Sequence, residues 1–167
     1  AAELLAQKAG VILTDFKAPD QSKKKTLYDI NTAARDYYQI ELTGESVAAK
    51  KVREYLTGRG VTQETAEAWG LGLSPDSWDG LLSYLKEKKY EVVDMVSAGL
   101  VITREQKLYD RFRRRLMFPI ADAQGKIVAF TARTLQYIAY DDEDSQGKYV
   151  NSPATQLYTK SQVLYGF

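Results

Sequence analysis

The sequence has no cysteine and no histidine among its 167 residues. That excludes a thiol nucleophile, a disulfide, an imidazole base and a Ser-His-Asp triad, and it removes the usual ligands of a structural zinc site. No apolar run approaches the ~18 residues that cross a bilayer, and the start shows no signal-like stretch. The expected compartment is therefore the cytoplasm, with no membrane partner and a monomeric chain. No P-loop, GxGxxG or GxSxG string occurs, and neither internal repeats nor low-complexity segments are found. A chain of this length buries about 70 % of its unfolded surface and needs no covalent or metal staple.

Charge is nearly balanced, with 23 Lys plus Arg against 22 Asp plus Glu, but it is unevenly laid out. Residues 1–100 carry 13 basic and 15 acidic side chains, whereas residues 101–135 carry 8 basic and 3 acidic, a local excess of +5. The next stretch, 136–147, holds Asp141, Asp142, Glu143 and Asp144 and no base. A basic excess confined to one segment suits an anionic partner, nucleic acid or a nucleoside triphosphate, although a solvated face with no partner would look the same.

Period changes along the chain predict an α+β fold. Leu4, Leu5, Ala9 and Ile12 give residues 1–14 a helical pattern, and residues 17–25, with Pro19 and three consecutive lysines, read as a linker. From Thr26 the apolar positions Leu27, Ile30, Ala34, Tyr37 and Tyr38 follow a helix. Ser46 and Thr62 are placed to cap two further helices, and Gly60 to end the first of them. Leu71, Gly72 and Leu73 read as extended. A helix is expected to start at Asp76 or Ser77, with Trp78, Leu81, Leu82 and Leu85 on one face, and another covers residues 90–98 until Gly99. Beyond Gly99 the pattern becomes strand-like. Leu116 opens one strand and Lys126 the next, and Asp122 to Gly125 make the turn of a hairpin. Pro119 marks the first of these strands as an edge or as broken there. The expected organisation is residues 1–25 as helix and linker, then residues 26–167 as one unit whose helical half precedes its β-rich half.

Two segments carry the chemistry. In YDRFRRRLMFPI, residues 109–120, Arg111, Arg113, Arg114 and Arg115 fall within five positions. Guanidinium is a planar, bidentate phosphate ligand, and in an extended chain Arg111, Arg113 and Arg115 share a face that Arg114 opposes. Pairing of these arginines with Asp110 or Asp122 inside the fold is the structural alternative. The second segment, KYVNSP at 148–153 with Lys160 beyond it, joins a cation, an aromatic ring and an amide to a proline-stiffened turn. Such a loop holds a phosphate and stacks a base; an ordinary Asn-Ser-Pro turn would have the same letters. The four acids at 141–144 lack the spacing and apolar anchor of a metal site and read as a solvated loop.

Taken in order, these segments resemble the bacterial DnaG-type DNA primases, which read Y-D-x-F-R-x-R-x-M-F-P-I, D-x-x-G-x-x-x-G-F-G-G-R, K-Y-x-N-S-P-E-T-x-x-F-x-K and L-Y-G. YLTGRGV at 55–61 is similar to the family's Y-L-x-x-R-G-[LV], and LGLSP with Trp78 to its G-x-A-P…W. The resemblance covers residues 26–167. It implies the N-terminal, template-binding subdomain of the catalytic core, without the zinc-binding domain and without the Toprim subdomain that begins just after L-Y-G. By motif, the implied nucleic-acid or nucleotide-binding residues are Arg59, Arg111, Arg113, Arg115, Arg133, Lys148, Tyr149, Asn151 and Lys160. No catalytic carboxylate and no metal is expected in this chain; the parent enzyme would use Mg²⁺ or Mn²⁺ in the Toprim subdomain and Zn²⁺ in the zinc domain. Implied partners are single-stranded DNA, nucleoside triphosphates and the RNA primer, with the replicative helicase met through a domain absent here.

The chain departs from the family where G-F-G-G-R becomes Ala129, Phe130, Thr131, Ala132, Arg133. Three Cβ atoms there put close backbone approach to template in doubt. Ala154 replaces an acid, Tyr158 replaces Phe, and the acidic stretch 137–147 is longer than usual. The apolar ending at residues 163–167 suggests a piece of something larger. Part of a primer-synthesising enzyme, inactive alone, is the first expectation; a stand-alone single-strand-binding module and a non-catalytic adaptor are the alternatives.

Overall fold

A computed structural model describes residues 21–135 and 147–161. The expected helix at 1–14, the acids at 141–144 and the L-Y-G segment lie outside the described residues. The chain forms α1 (Gln21–Thr43), α2 (Val47–Gly58), α3 (Gln63–Ala68), β1 (Gly72–Ser74), α4 (Gly80–Glu87), α5 (Val92–Ser97), β2 (Val101–Arg104), β3 (Lys107–Asp110), β4 (Arg115–Ala121), β5 (Ile127–Thr134) and β6 (Tyr149–Asn151). The expected α+β order holds, helices first and antiparallel strands after them.

Helix α1 begins five residues before Thr26, so the lysine run Lys23, Lys24 and Lys25 stands on its first turns rather than in a linker. Its buried face is the one the periodicity named: Leu27, Ile30, Ala34, Tyr37 and Tyr38 are all shielded from solvent. Ser46 and Thr62 cap α2 and α3 by accepting from the amides of Ala49 and Thr65. Gly60 follows α2 with φ +78°, the left-handed conformation a C′ residue adopts.

The main sheet has the order β1-β4-β5-β6, all antiparallel, and β2-β3 form a separate hairpin. In the β4–β5 hairpin, Gly125 N–H donates to Asp122 O, and Asp122 Oδ1 accepts from the amides of Gln124 and Lys126. Pro119 is explained by the length of β1. That short strand pairs with Arg115, Leu116 and Met117 only, so β4 is central where it starts and an edge by the time it reaches the residue without an N–H.

One element starts later than the sequence suggests. Helix α4 begins at Gly80, and neither Asp76 nor Ser77 caps it; Trp78 lies in the preceding loop, 58 % exposed. The cap comes from 30 residues downstream. The buried Asp110 carboxylate accepts from Leu81 N at 2.8 Å and Leu82 N at 2.9 Å, satisfying two of the orphan donors of a helix start. Burial pushes the Asp110 carboxyl up from 3.8 to about 6, against the lowering effect of those amide bonds. A native pKa above the unfolded one means that the native state holds the proton more tightly. The stabilisation is complete below about pH 3.8 and is lost as pH rises through about 6. Asp110→Ala should cost about 1–3 kcal/mol at neutral pH by leaving two amides uncapped. Urea titrations at several pH values should show the margin of wild type over this variant widening from pH ~7 to ~4; a constant or shrinking margin would remove Asp110 from this role.

Candidate nucleic-acid interface

Strand register brings the second predicted segment onto β5. Arg133 pairs with Tyr149 and Thr131 with Asn151. Residues directly opposite in an antiparallel ladder point to the same side, so Arg133, Tyr149 and Asn151 share one sheet face. Arg133 reaches across to α2, where its Nη1 donates to Tyr55 Oη at 2.9 Å. Its guanidinium carbon is 5.7 Å from the ring centroids of both Tyr55 and Tyr149, and Arg59 lies 5.4 Å over the Tyr55 ring. Two cations and two tyrosines thus meet at one place, with Arg59, Tyr149 and Asn151 exposed. The Arg133 Nε is buried and has no hydrogen-bond acceptor among the described residues.

Lys148 is exposed beside Tyr149, and its backbone O accepts from Thr134 N. Lys160 is exposed in the turn after the buried Tyr158 and forms no ion pair among the described residues. The Asn-Ser-Pro turn also has a structural part. Ser152 Oγ accepts from Phe130 N at 3.0 Å and Ser152 N–H donates to Phe130 O, which extends the β6 edge along β5.

The arginine-rich segment differs from its expected geometry. Residues 111–114 are not a strand, and Arg114 has φ +54°. A single left-handed residue breaks the two-residue alternation, so Arg111, Arg113 and Arg115 do not share a face. Arg111 Nε donates to Gly99 O at 2.7 Å, and Arg115 is buried with Nη1 donating to Gly147 O at 3.2 Å. Burial lowers both guanidinium pKa values. Both side chains are committed to backbone carbonyls. Arg113 and Arg114 instead come together on Asp76, at 3.4 and 2.6 Å, and that contact, Arg114 hydrogen bond first, lowers the Asp76 carboxyl. Neither Asp110 nor Asp122 takes these arginines: Asp110 caps α4, and Asp122 closes the β4–β5 turn and accepts from Tyr28 Oη.

The Cβ atoms of Ala129 and Ala132 are buried, inside the cores beside β5, so they do not meet an approaching ligand. Of the three replaced glycines only Thr131 is partly exposed. Tyr55 is the residue that motif reading passed over. It opens the YLTGRGV string, four residues before Arg59, and only the α2–β5 packing turns it into the partner of Arg133. A separate groove of about 710 Å³ between α1, α2 and α3, walled by Ile40, Leu56 and Leu71, contains none of the predicted residues.

Comparison with known proteins agrees with this reading of the fold. Residues 37–167 match the family described as the N-terminal domain of the DNA primase catalytic core. The DNA primase of Clostridium acetobutylicum is 36 % identical over 170 residues, covering 99 % of this chain and 27 % of the relative. The RNA polymerase domain of Mycobacterium tuberculosis primase DnaG, solved with a double-stranded DNA oligomer bearing a 6-nucleotide overhang, is similar with TM-score 0.78 and 37 % identity, over 85 % of this chain and 42 % of that one. A DnaG primase catalytic domain bound to single-stranded DNA gives TM-score 0.72 and 31 % identity, over 88 % of this chain and 43 % of that one. The chain thus spans about a quarter of the length of the curated relatives it matches, 27 % and 26 % for two of them.

Proposed function

Since the chain belongs to the bacterial DnaG-type DNA primases, as the N-terminal domain of their catalytic core, we propose that the Arg133 face binds single-stranded DNA template. The observation that carries this reading is the β5–β6 register. It sets Arg133, Tyr149 and Asn151 on one face and adds Tyr55 and Arg59 from α2. Guanidinium groups take phosphates bidentately, exposed tyrosine rings stack bases without regard to sequence, and an asparagine amide donates to phosphate or sugar oxygens. Lys148 and Lys160 add charge at the edge of the same segment.

The role proposed for this chain is binding and orientation. Primer synthesis and contact with a helicase are proposed for the whole protein. Incoming nucleoside triphosphate would present the same chemistry to Arg133, and competition by triphosphate in the titration described next separates a shared site from separate ones.

Four cations, Arg59, Arg133, Lys148 and Lys160, make no ion pair among the described residues, whereas Arg111 and Arg115 are committed to carbonyls. At about −0.7 per neutralised phosphate, log K for an oligothymidylate against log salt should slope at roughly −2 to −3. Fluorescence anisotropy of a labelled oligomer measures it. A flat response would remove the phosphate-binding face.

A further inference from the structure

The strand that carries Tyr149 and Asn151 has little to hold it by itself. Among the described residues β6 is three residues long and pairs with β5 on one side only. Its far end is fixed instead by a corner of the fold that lies well before it in sequence. Gly99 ends α5 with φ +74°. Its N–H donates to Val96 O, and that of Leu100 donates to Met95 O, the paired bonds of a Schellman cap. The Pro153 ring lies directly on this glycine. A Cβ at Gly99 would come 2.7 Å from Pro153 Cδ and 2.8 Å from Pro153 Cγ, so the proline already fills the space a side chain would need. Gly99 O accepts from Arg111 Nε at 2.7 Å, and Leu100 O accepts from Arg111 N at 2.8 Å. One residue thus ties both carbonyls of the corner on which Pro153 rests.

From Pro153 the contacts run without a gap into the Arg133 face. Ser152 is buried and exchanges two hydrogen bonds with the Phe130 backbone, its Oγ accepting from Phe130 N at 3.0 Å and its N–H donating to Phe130 O at 2.8 Å. Val150 packs against the apolar cluster that contains Ala98 and Leu100. Tyr149 and Asn151 alternate with it and so face the other way, the side on which Tyr149 stands opposite Arg133. We propose that Arg111 is a positioning residue for Tyr149 and Asn151, acting through the Gly99–Leu100 corner and the Pro153 ring, and that it does not itself bind the strand. This rests on the single-strand reading above. Service as a phosphate ligand would take the half-buried Arg111 guanidinium away from Gly99 O, and the corner under Pro153 would lose its tie.

The test titrates variants of the chain with labelled oligothymidylate over a range of salt, with circular dichroism to show that each is folded. Arg111→Met keeps the apolar stem and removes the donor. It should weaken binding about fivefold or more, the lower end of what one base–aromatic stack contributes, because Tyr149 and Asn151 lose their placement. The slope of log K against log salt should stay as it was, since no phosphate contact is removed, whereas loss of a phosphate ligand would make it shallower by about 0.7. Gly99→Ala deletes no polar group, yet it should weaken binding by a similar factor, again at constant slope. Pro153→Ala removes the Cγ and Cδ that the new methyl group meets, so the double variant should bind within about twofold of Pro153→Ala alone. The two arms are independent, and if one single variant fails to fold the other decides. A shallower slope for Arg111→Met makes Arg111 a phosphate ligand and overturns the proposal. Unchanged affinity in either folded single variant overturns it too, as does a Gly99→Ala penalty that persists beside Pro153→Ala; in each case the single-strand reading stands. Failure of the unmutated chain to bind oligothymidylate would overturn that reading itself, and the positioning role with it.

Discussion

Replacing Arg133 with Ala should abolish most single-strand binding by this chain while the domain stays folded. Arg133 sits at the join of every contact in the proposed face: its Nη1 reaches Tyr55 Oη, and its guanidinium lies between the Tyr55 and Tyr149 rings. Removal deletes the phosphate ligand and also the group that spaces the two tyrosines. The loss should be at least tenfold in affinity, on the scale of one charge-assisted contact, about 1.5–3 kcal/mol. Among the described residues no buried anion is left unpaired, because the side chain's partners there are the Tyr55 hydroxyl and two tyrosine rings, so stability should fall by no more than about 1 kcal/mol. In the whole protein the same variant should lose most primer synthesis, since a template no longer held on this face is no longer positioned for reaction. Thermal unfolding and oligomer anisotropy, measured on one preparation, separate the two effects. An unfolded Arg133→Ala domain with binding retained per folded molecule would make Arg133 a structural residue.

Gly72→Ala should have the opposite signature, a large loss of stability. Gly72 lies where β1 crosses α1, and a Cβ there would come 2.4 Å from Tyr38 Cβ and 2.7 and 2.9 Å from the carbonyl carbon and oxygen of Tyr38. Two of these three atoms are helix backbone, and Tyr38 is itself buried against Phe130, so neither side yields without moving α1 off the sheet. Overpacking of this kind costs about 3 kcal/mol or more, a large part of the ~5–15 kcal/mol that holds a domain together. For a chain of this size the melting temperature should drop by roughly 6–12 °C. Gly58→Ala is the control. Nothing lies within 4 Å of its added Cβ and it ends a helix, so that variant should be neutral or slightly stabilised. Equal melting temperatures for the two variants would contradict the close approach.

Local signals were legible in the sequence where local physics decides. The α1 core positions, the Ser46 and Thr62 caps and the Asp122–Gly125 turn each depend on residues within a few positions of one another, and each is where the spacing put it. Long-range partners were not legible. Helix α4 begins at Gly80 because an amide cap arrives from Asp110, and no feature of residues 76–80 announces that. The strand alternation expected across Arg111–Arg115 failed at Arg114, whose positive φ is set by the chain around it and its grip on Asp76, in a residue type that gives no warning. Of the candidate site, the β5 and β6 residues came together as the motifs imply. Arg111, half-buried, and Arg115, buried, donate to the carbonyls of Gly99 and Gly147. Tyr55, which no charge or periodicity argument singles out, completes the face.

The arginine side chains themselves report most directly on whether this face takes the strand. In a ¹⁵N spectrum of arginine Nε–H groups, oligothymidylate added at low salt should shift Arg133, whose buried Nε has no acceptor among the described residues, together with Arg59. Arg111 and Arg115, bonded to backbone carbonyls, should stay where they are. Shifts at Arg111 and Arg115 with Arg133 unmoved would contradict the account and place the strand elsewhere.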